Sequence, residues 1–465
     1  MVETTDQFDV VVIGGGPGGY AAALYGASAG LKVAVVEKEK VGGTCLHRGC
    51  VPAKEFLETA SVLRSVKSAS TFGISAAITG VDFAVSQSRK QSVVDQLWKG
   101  LSGLMKGRGI EVIEGIGKYL GDGKVEVLGS RVISGDSIIL ATGSAPRTIP
   151  GFEVSEYVLT SDEVLSLTTL PKSVAVIGGG AIGCEFASMM SDMGVEVTII
   201  EALPQILTGC DKDVADVVVR SFKKRGIQTF VSSAVEGHQN EGSTTKVMFG
   251  GGQSVSVEKI IVSVGRRPLS DGLIGPQSKV QVDQRGFVLV DEYMRTSESG
   301  VYAIGDLIAT PQLAHVGFAE AILAIKTILG EPVTPVDYGK VPWCIYTHPE
   351  VAFVGMTEAQ AREAGYEVLV KKDPYGGNSR ARIIGETDGV VKVICEKRSD
   401  GSAGAILGVH MAGPWVTEQL GQAYLSVNWE ATPEEVSQFI QPHPTLSEAF
   451  GETVLALTGR GLHVG

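Results

Sequence analysis

No apolar run among the 465 residues is long enough to cross a bilayer. The longest, Val10 to Ile13 and Val174 to Ile177, run straight into glycine clusters. Basic charge is short too: 40 Lys and Arg against 52 Asp and Glu leave a net charge of −12. A duplex binder needs a clustered basic face, so nucleic acid is not an expected partner. Cysteine is scarce, at six residues, which excludes a disulfide-stapled secreted scaffold. Met1-Val2-Glu3-Thr4-Thr5-Asp6 has no basic region and no apolar segment of its own, and its acidity speaks against a retained transit peptide. The expected compartment is a bacterial cytoplasm, with a processed form in an organellar matrix left open.

What is present in excess is glycine. Sixty residues is roughly twice the usual share and favours tight turns where backbone approaches a ligand. The composition, 44% hydrophobic and 20% charged, is that of a globular chain, and its length calls for about two to four domains. The β-branched run Val10-Val11-Val12-Ile13 reads as a buried parallel strand. Gly14-Gly15-Gly16-Pro17-Gly18-Gly19 follows, then a small-residue helix over Ala21 to Tyr25, then a strand over Lys32 to Glu37. The unit recurs in register. Gly14 matches Gly178, Gly30 matches Gly194 and Glu37 matches Glu201, with the strand Val174 to Ile177 and a helix from Phe186 to Met193 between.

One glycine fingerprint alone is a weak signal. Two in register, each between strand and helix and each followed by a carboxylate, point to two bound dinucleotides. Gly14 and Gly178 would make the tight turn, and Gly16 and Gly180 would let backbone N–H groups reach a pyrophosphate. Gly19 and Gly183 would let helix pack on strand, and Glu37 and Glu201 would accept from an adenosine ribose. Past residue 343 the phosphate loops stop. Strand-like runs over Val390 to Ile394 and Ala405 to His410, and a late helical stretch near Thr432 to Phe439, suggest an α+β unit that holds subunits together.

Cys45-Leu46-His47-Arg48-Gly49-Cys50 lies just past Glu37 and allows three readings. A zinc site would need a second ligand pair, and the nearest other cysteine is Cys184. A purely structural disulfide is unusual in a reducing compartment. The third reading, a redox-active dithiol, is favoured by geometry. In a regular helix these Cα atoms would stand roughly 8 Å apart, beyond the roughly 7 Å a disulfide tolerates, so Gly49 and the helix start near Cys50 would have to distort the turn. A helix N-terminus also lowers a thiol pKa, and His47 and Arg48 add to that.

The segment Gly42-Gly43-Thr44-Cys45-Leu46-His47-Arg48-Gly49-Cys50-Val51-Pro52-Ala53-Lys54 resembles the redox box of the pyridine nucleotide–disulfide oxidoreductases. The resemblance runs from end to end. Ala141-Thr142-Gly143-Ser144-Ala145-Pro146 and Val264-Gly265-Arg266-Arg267-Pro268 are similar to the family's links between its nucleotide domains. Thr296 through Val301-Tyr302-Ala303-Ile304-Gly305-Asp306 resembles its second flavin motif, and Tyr346-Thr347-His348-Pro349-Glu350 the opening of its dimerisation domain. His443-Pro444-Thr445-Leu446-Ser447-Glu448 is most like the C-terminal signature of the dihydrolipoamide dehydrogenase branch.

The resemblance implies an α/β chain with two Rossmann-like dinucleotide-binding domains and a C-terminal α+β dimerisation domain. The boundaries expected are 1–148 for the first part of the FAD domain, 149–270 for the NAD domain, 271–342 for the second part of the FAD domain and 343–465 for the interface domain. It implies FAD on the first glycine unit, with Lys38, Gly43, Thr44 and Lys54 nearby. Thr142, Gly143, Ser144, Gly305 and Asp306 complete that site, the aspartate on the ribityl chain. NAD would take the second unit with Gly265; Glu201 would repel a 2′-phosphate, and Ala202-Leu203-Pro204-Gln205 offers no arginine there.

The implied reaction is reoxidation of protein-bound dihydrolipoamide, with electrons passing through Cys45–Cys50 and FAD to NAD. Cys45 would be the outer sulfur and Cys50 the inner one, with His443 as proton acceptor and Glu448 as its orienter, reaching the partner subunit's cysteines. Lys54 would pair with Glu185 beside the flavin. The partners implied are a second copy of the chain and the lipoyl-bearing acyltransferase core of 2-oxo acid dehydrogenase complexes or a glycine cleavage lipoyl protein.

Three departures stand out: His47-Arg48 where Asn-Val is usual, Ala53 where serine or threonine is common, and Gln441-Pro442 where His-Ala precedes the histidine. None removes a catalytic group; they bear on substrate details and on the acidity of the couple. The rival reading is an NAD(P)H-dependent reductase of another disulfide, like glutathione reductase, though Glu201 disfavours NADPH. Mercuric reductase would need a C-terminal cysteine pair, and the last cysteine is Cys395. An assembly role on a multienzyme core is compatible with catalysis.

Overall fold

The computed structural model describes residues 6–464. Met1 to Thr5, which carry most of the reading of the N-terminus, lie outside them. The strand Gln7–Ile13 takes the centre of a seven-stranded sheet because Val10, Val11 and Val12 are fully buried and β-branched. It pairs in parallel with Val33–Glu37 on one side, Val10 opposite Val33, and with Arg131–Leu140 on the other, Ile13 opposite Leu140. The chain returns to this sheet much later, where Val301–Ala303 pairs in parallel with Arg131–Leu140. That return carries the Gly305-Asp306 segment to the carboxyl end of the first sheet, where α/β folds bind ligands.

A second sheet repeats the arrangement. Ser173–Ile177 lies between Glu196–Ile200 and Lys259–Val262, all parallel. Its helix starts at Ala181 rather than near Phe186, because Gly180 caps the N-terminus and Gly183 is taken into the first turn. The two links between these sheets pair with each other as an antiparallel ribbon, Ser144–Pro146 against Arg266–Pro268.

The third sheet is antiparallel, in the order Trp343–Ile345, Glu350–Gly355, Ala403–Gly413, Val390–Lys397, Val368–Pro374. The expected helix over Thr432 to Phe439 shrinks to one turn, Pro433–Val436. Thr432 and Glu435 form a capping box there, which reads as a helix start, but Phe439 and Ile440 are 68% and 97% exposed and bury no apolar face that could extend it. The layer on this sheet is instead made by Val416–Asn428 and Glu448–Leu457.

The helix Cys50–Ser68 belongs to the core between the second and third sheets rather than to the first. It buries Ala53, Phe56, Leu57 and Ala60 among Phe186, Met189 and Met190 of the Ala181–Asp192 helix, in a cluster that reaches Ile345 and Phe353. Phe56 is fully buried, so truncation to alanine would cost about 3–5 kcal/mol. A polar seam ties the second sheet to the third. Lys392, 2% exposed, donates to Asp211 and Asp213 at 2.8 and 2.7 Å and pairs with Glu358 at 2.8 Å. Burial works against its charge, but the three carboxylates outweigh burial and lift its pKa above the usual lysine range.

Beside it His410, wholly buried, accepts from the Asp211 N–H at Nδ1, 3.2 Å, so Nε2–H donates to the Met356 carbonyl at 3.0 Å. Burial pushes its pKa down to about 4. A depressed histidine pKa leaves the folded chain with fewer protons than the unfolded one. Its contribution is therefore complete above about pH 6.5 and is lost as pH falls toward 4, at up to about 1.4 kcal/mol per pH unit. His410→Gln keeps an acceptor and a donor for the same partners, so its melting temperature is expected to fall less steeply than the wild type's between pH 6.5 and 4.5. Equal slopes in a thermal melt series would count against the neutral buried imidazole.

Candidate active site

The two glycine loops are superposable in their physics. Gly14 and Gly178 sit at φ 106° and 103°, a turn that L side chains avoid. A Cβ on Gly19 or Gly183 would overlap the carbonyl oxygen of Gly14 or Gly178, so helix and strand meet there only because the side chain is missing. Each following carboxylate is fastened to its own loop. Glu37 accepts from the Gly15 and Glu39 N–H groups at 2.7 and 2.9 Å, and Glu201 from Gly179 and Leu203 at 2.6 and 2.7 Å.

The first loop also anchors the cysteines. Gly42 N–H donates to the Gly15 carbonyl at 2.7 Å, and a Cβ on Gly43 would lie 2.6 Å from the Gly16 Cα. From that anchor a short helix, Gly43–Arg48, carries Cys45, and a second begins at Cys50. Gly49 separates them, with room for a Cβ only 3.0 Å from the Thr44 carbonyl oxygen. The break brings the Cys45 and Cys50 Cα atoms to 4.6 Å, and the two are joined as a disulfide. His47 donates to the Val41 carbonyl at 2.9 Å and Arg48 pairs with Glu39 at 2.7 Å, so the two unusual residues tie the loop back to the segment before it. Cys45 is half-buried and Cys50 exposed, so exposure alone does not divide their roles.

One turn along the same helix, Lys54 Nζ donates to both oxygens of Glu185 at 2.9 Å and lies 4.8 Å over the Tyr346 ring. Glu185 is 5% exposed and also accepts from the Tyr346 N–H at 2.9 Å. Asp306 is held from the link ribbon: Ser144 Oγ–H donates to its carboxylate at 2.5 Å, and the Arg266 guanidinium donates to Ser144 Oγ and carbonyl at 2.7 and 2.9 Å. Burial works against the Arg266 charge, and Asp306 and Asp162 offset part of that. Thr142 Oγ1–H donates to the Leu269 carbonyl at 2.7 Å, while Gly143, Gly265 and Gly305 take positive φ angles of 73°, 102° and 69°. Lys38 is exposed.

The C-terminal pair forms locally. His443 Nδ1–H donates to Glu448 Oε1 at 2.7 Å, and Thr445 N–H donates to the other oxygen at 2.7 Å. Bonding at Nδ1 makes Nε2 the acceptor nitrogen, on a side chain that is 68% exposed. Among the described residues neither member is hydrogen-bonded to the cysteine loop of its own chain.

The residues fit the two nucleotides. A Cβ at Gly143, Gly180 or Gly305 would meet nothing within 4 Å, leaving backbone open where a ligand has to approach. The Gln312 amide nitrogen, between Asp306 and the helix Ala314–Ile328, is buried without a partner. Among the described residues no group of three or more His, Cys, Asp or Glu could hold a metal, and no helix is long and apolar enough to cross a membrane. Residue-by-residue reading passed over Arg266, Tyr346, Gln312 and Glu320. The first two lay inside motifs singled out for other reasons; a glutamine before a helix and a glutamate among alanines carry no local signal.

Residues 8–321 match the family described as pyridine nucleotide-disulphide oxidoreductase, and residues 341–454 match its dimerisation domain. A dihydrolipoyl dehydrogenase of Bacillus subtilis is 42% identical over 98% of this chain and 99% of its own length. One from Thermus scotoductus is 38% identical over 98% and 99%. Among solved structures, LpdA from Mycobacterium tuberculosis superposes with a TM-score of 0.89 at 26% identity, covering 97% of this chain and all of that one.

Burial raises the Cys184 thiol well above the usual range and pushes Cys210 and Cys395 up to about 12. After mild reduction, brief alkylation at pH 8 is therefore expected to label Cys45 and Cys50 on the order of 10³-fold faster than those three. Peptide mass mapping checks this; comparable labelling of Cys184 would contradict the burial.

Proposed function

The chain belongs to the pyridine nucleotide-disulphide oxidoreductase family, an FAD- and NAD-dependent oxidoreductase with that family's dimerisation domain, and we propose that its substrate is protein-bound dihydrolipoamide. The observation that carries the reading is the His443–Glu448 bond. It supplies an exposed imidazole of fixed tautomer, in a homodimer whose disulfide sits at a helix N-terminus. The relatives named dihydrolipoyl dehydrogenase match over their whole length, which supports the same substrate.

In the proposed reaction one dihydrolipoyl thiol attacks Cys45 Sγ as His443 Nε2 takes its proton. The Cys45–Cys50 bond breaks and Cys50 leaves as thiolate. The second lipoyl thiol then attacks the mixed disulfide, closing the lipoyl ring, and its proton leaves with Cys45 as a thiol, so two electrons have moved from substrate to the cysteine pair while the first proton stays on His443. Glu448 holds the Nδ1–H tautomer and stabilises the imidazolium, and the dyad serves the cysteines of the partner subunit. Bound FAD and NAD supply the two-electron acceptor chemistry that restores the disulfide. Lys54, fixed by Glu185, keeps a cation one turn from Cys50, where it would face a bound flavin.

The proposed site assignments rest on the family resemblance and are supported by the two anchored glycine loops. FAD would be held by Gly14, Gly16, Gly19, Glu37 and Asp306, and NAD by Gly178, Gly180, Gly183 and Glu201, where the anchored carboxylate would disfavour a 2′-phosphate. Domain boundaries at 148, 270 and 342, docking on a lipoyl-bearing acyltransferase core or glycine cleavage lipoyl protein, and a bacterial cytoplasm complete the proposal.

The deciding experiment is a substrate panel: NAD reduction by dihydrolipoamide against NADPH oxidation by glutathione disulfide. Dihydrolipoamide with NAD is expected to turn over fast, and His443→Gln to lower its kcat at least about 10²-fold. Turnover of glutathione disulfide alone would replace the substrate assignment with the glutathione reductase-like reading.

A further inference from the structure

Glu320 is wholly buried, on the helix Ala314–Ile328 that packs against the first glycine helix Pro17–Ser28. Among the described residues no cation is paired with it, and its bonded partners are neutral donors. Gly305 N–H donates to Oε2 at 2.6 Å, and Thr310 Oγ1–H and Tyr338 O–H donate to Oε1 at 2.7 and 2.9 Å. A buried carboxylate without a counter-charge costs several kcal/mol unless hydrogen bonds hold it, so its place calls for a reason. Asp306, one residue past Gly305, is a charge of the same sign and opposes its ionisation further. Burial outweighs the pull of the three donors and raises the Glu320 pKa to about 7.

What the carboxylate grips is informative. Gly305 begins the turn that presents Asp306, at a positive φ of 69°, and among the described residues its N–H bonds to Glu320 alone. The Gly317 position on the same helix lies against Gly18 and Gly305, a Cβ there reaching 3.4 Å from the Gly18 nitrogen and 3.7 Å from the Gly305 Cα. Asp306 is thus located from two sides. Ser144 and Arg266 hold its side chain, and Glu320 holds the backbone immediately before it.

We propose that Glu320 is a positioning residue of the flavin site: by fixing the Gly305 N–H it sets how Asp306 meets the ribityl chain. The inference rests on the reading that the Gly305-Asp306 turn takes FAD.

Deflavinated full-length chain titrated with FAD, followed by flavin fluorescence and by visible circular dichroism of the bound flavin, tests it. Glu320→Ala is expected to raise the FAD Kd at least tenfold and to change the dichroism band. Glu320→Gln is expected to restore both within about threefold, since its amide oxygen can accept from Gly305 while its nitrogen donates to the Thr310 and Tyr338 hydroxyls. If the alanine variant does not fold, Glu320→Met, similar in length and without a strong acceptor, takes its place. Binding within threefold of wild type with an unchanged band would overturn the inference, as would equal impairment of the glutamine and alanine variants. Asp306→Ala separates this from the reading beneath it. If Asp306→Ala weakens FAD tenfold and Glu320→Ala does not, the Glu320 inference alone fails; if Asp306→Ala binds FAD as the wild type does, the flavin assignment of the turn fails with it.

Discussion

A helix running unbroken from Gly43 to Ser68 would hold Cys45 and Cys50 roughly 8 Å apart and no disulfide could form. The break at Gly49 shortens that span to 4.6 Å, and most of the candidate site depends on it. It starts a new helix at Cys50, whose backbone dipole favours thiolate at that end. The new helix points Lys54 at Glu185 and drives Phe56 into the core between the second and third sheets. On the other side of the break, the Gly42–Gly15 hydrogen bond ties the cysteines to the first glycine loop. The sulfurs are therefore located by the same backbone that is proposed to receive the first nucleotide. A redox pair needs that rigidity, because its distance from the electron acceptor has to stay the same in both oxidation states.

Carboxylates gripping backbone N–H groups recur at each functional position. Glu37 and Glu201 brace the two glycine loops, Glu185 accepts from Tyr346 as well as Lys54, Glu448 accepts from Thr445 as well as His443, and Glu320 accepts from Gly305. Charge-assisted bonds of this kind are about twice as strong as neutral ones and cost less freedom than a long ion pair. Each leaves a loop fixed while its ligand-facing atoms remain available. Glu201 shows the consequence for selectivity. Two N–H groups hold its charge at one place in the second loop, where on the proposed reading it would oppose a 2′-phosphate without having to move.

Legibility in the sequence follows sequence distance. The glycine loops, the cysteine pair and the His443–Glu448 pair each lie inside one loop or turn, and their geometry is set by neighbours a few residues away. The glycine loops and the favoured dithiol reading of the cysteines were readable from residue type and spacing, whereas the His443–Glu448 pair, though local, was anticipated only by the family resemblance. Lys54–Glu185 spans 131 positions and Arg266–Ser144 spans 122; no pattern along the chain links either pair, and only the family resemblance anticipated the first. The helix near Thr432 failed for a related reason. Its capping residues are local and strong, but a helix of this length persists only where tertiary packing covers an apolar face, and Phe439 and Ile440 face outward. Glu320 is the instructive middle case. Only 15 positions separate it from Gly305, yet its role depends on the chain having already returned to the first sheet through Val301–Ala303, a pairing with Arg131–Leu140 across the whole second nucleotide unit. Local chemistry announces which groups can react; the long-range pairings decide which groups hold them still.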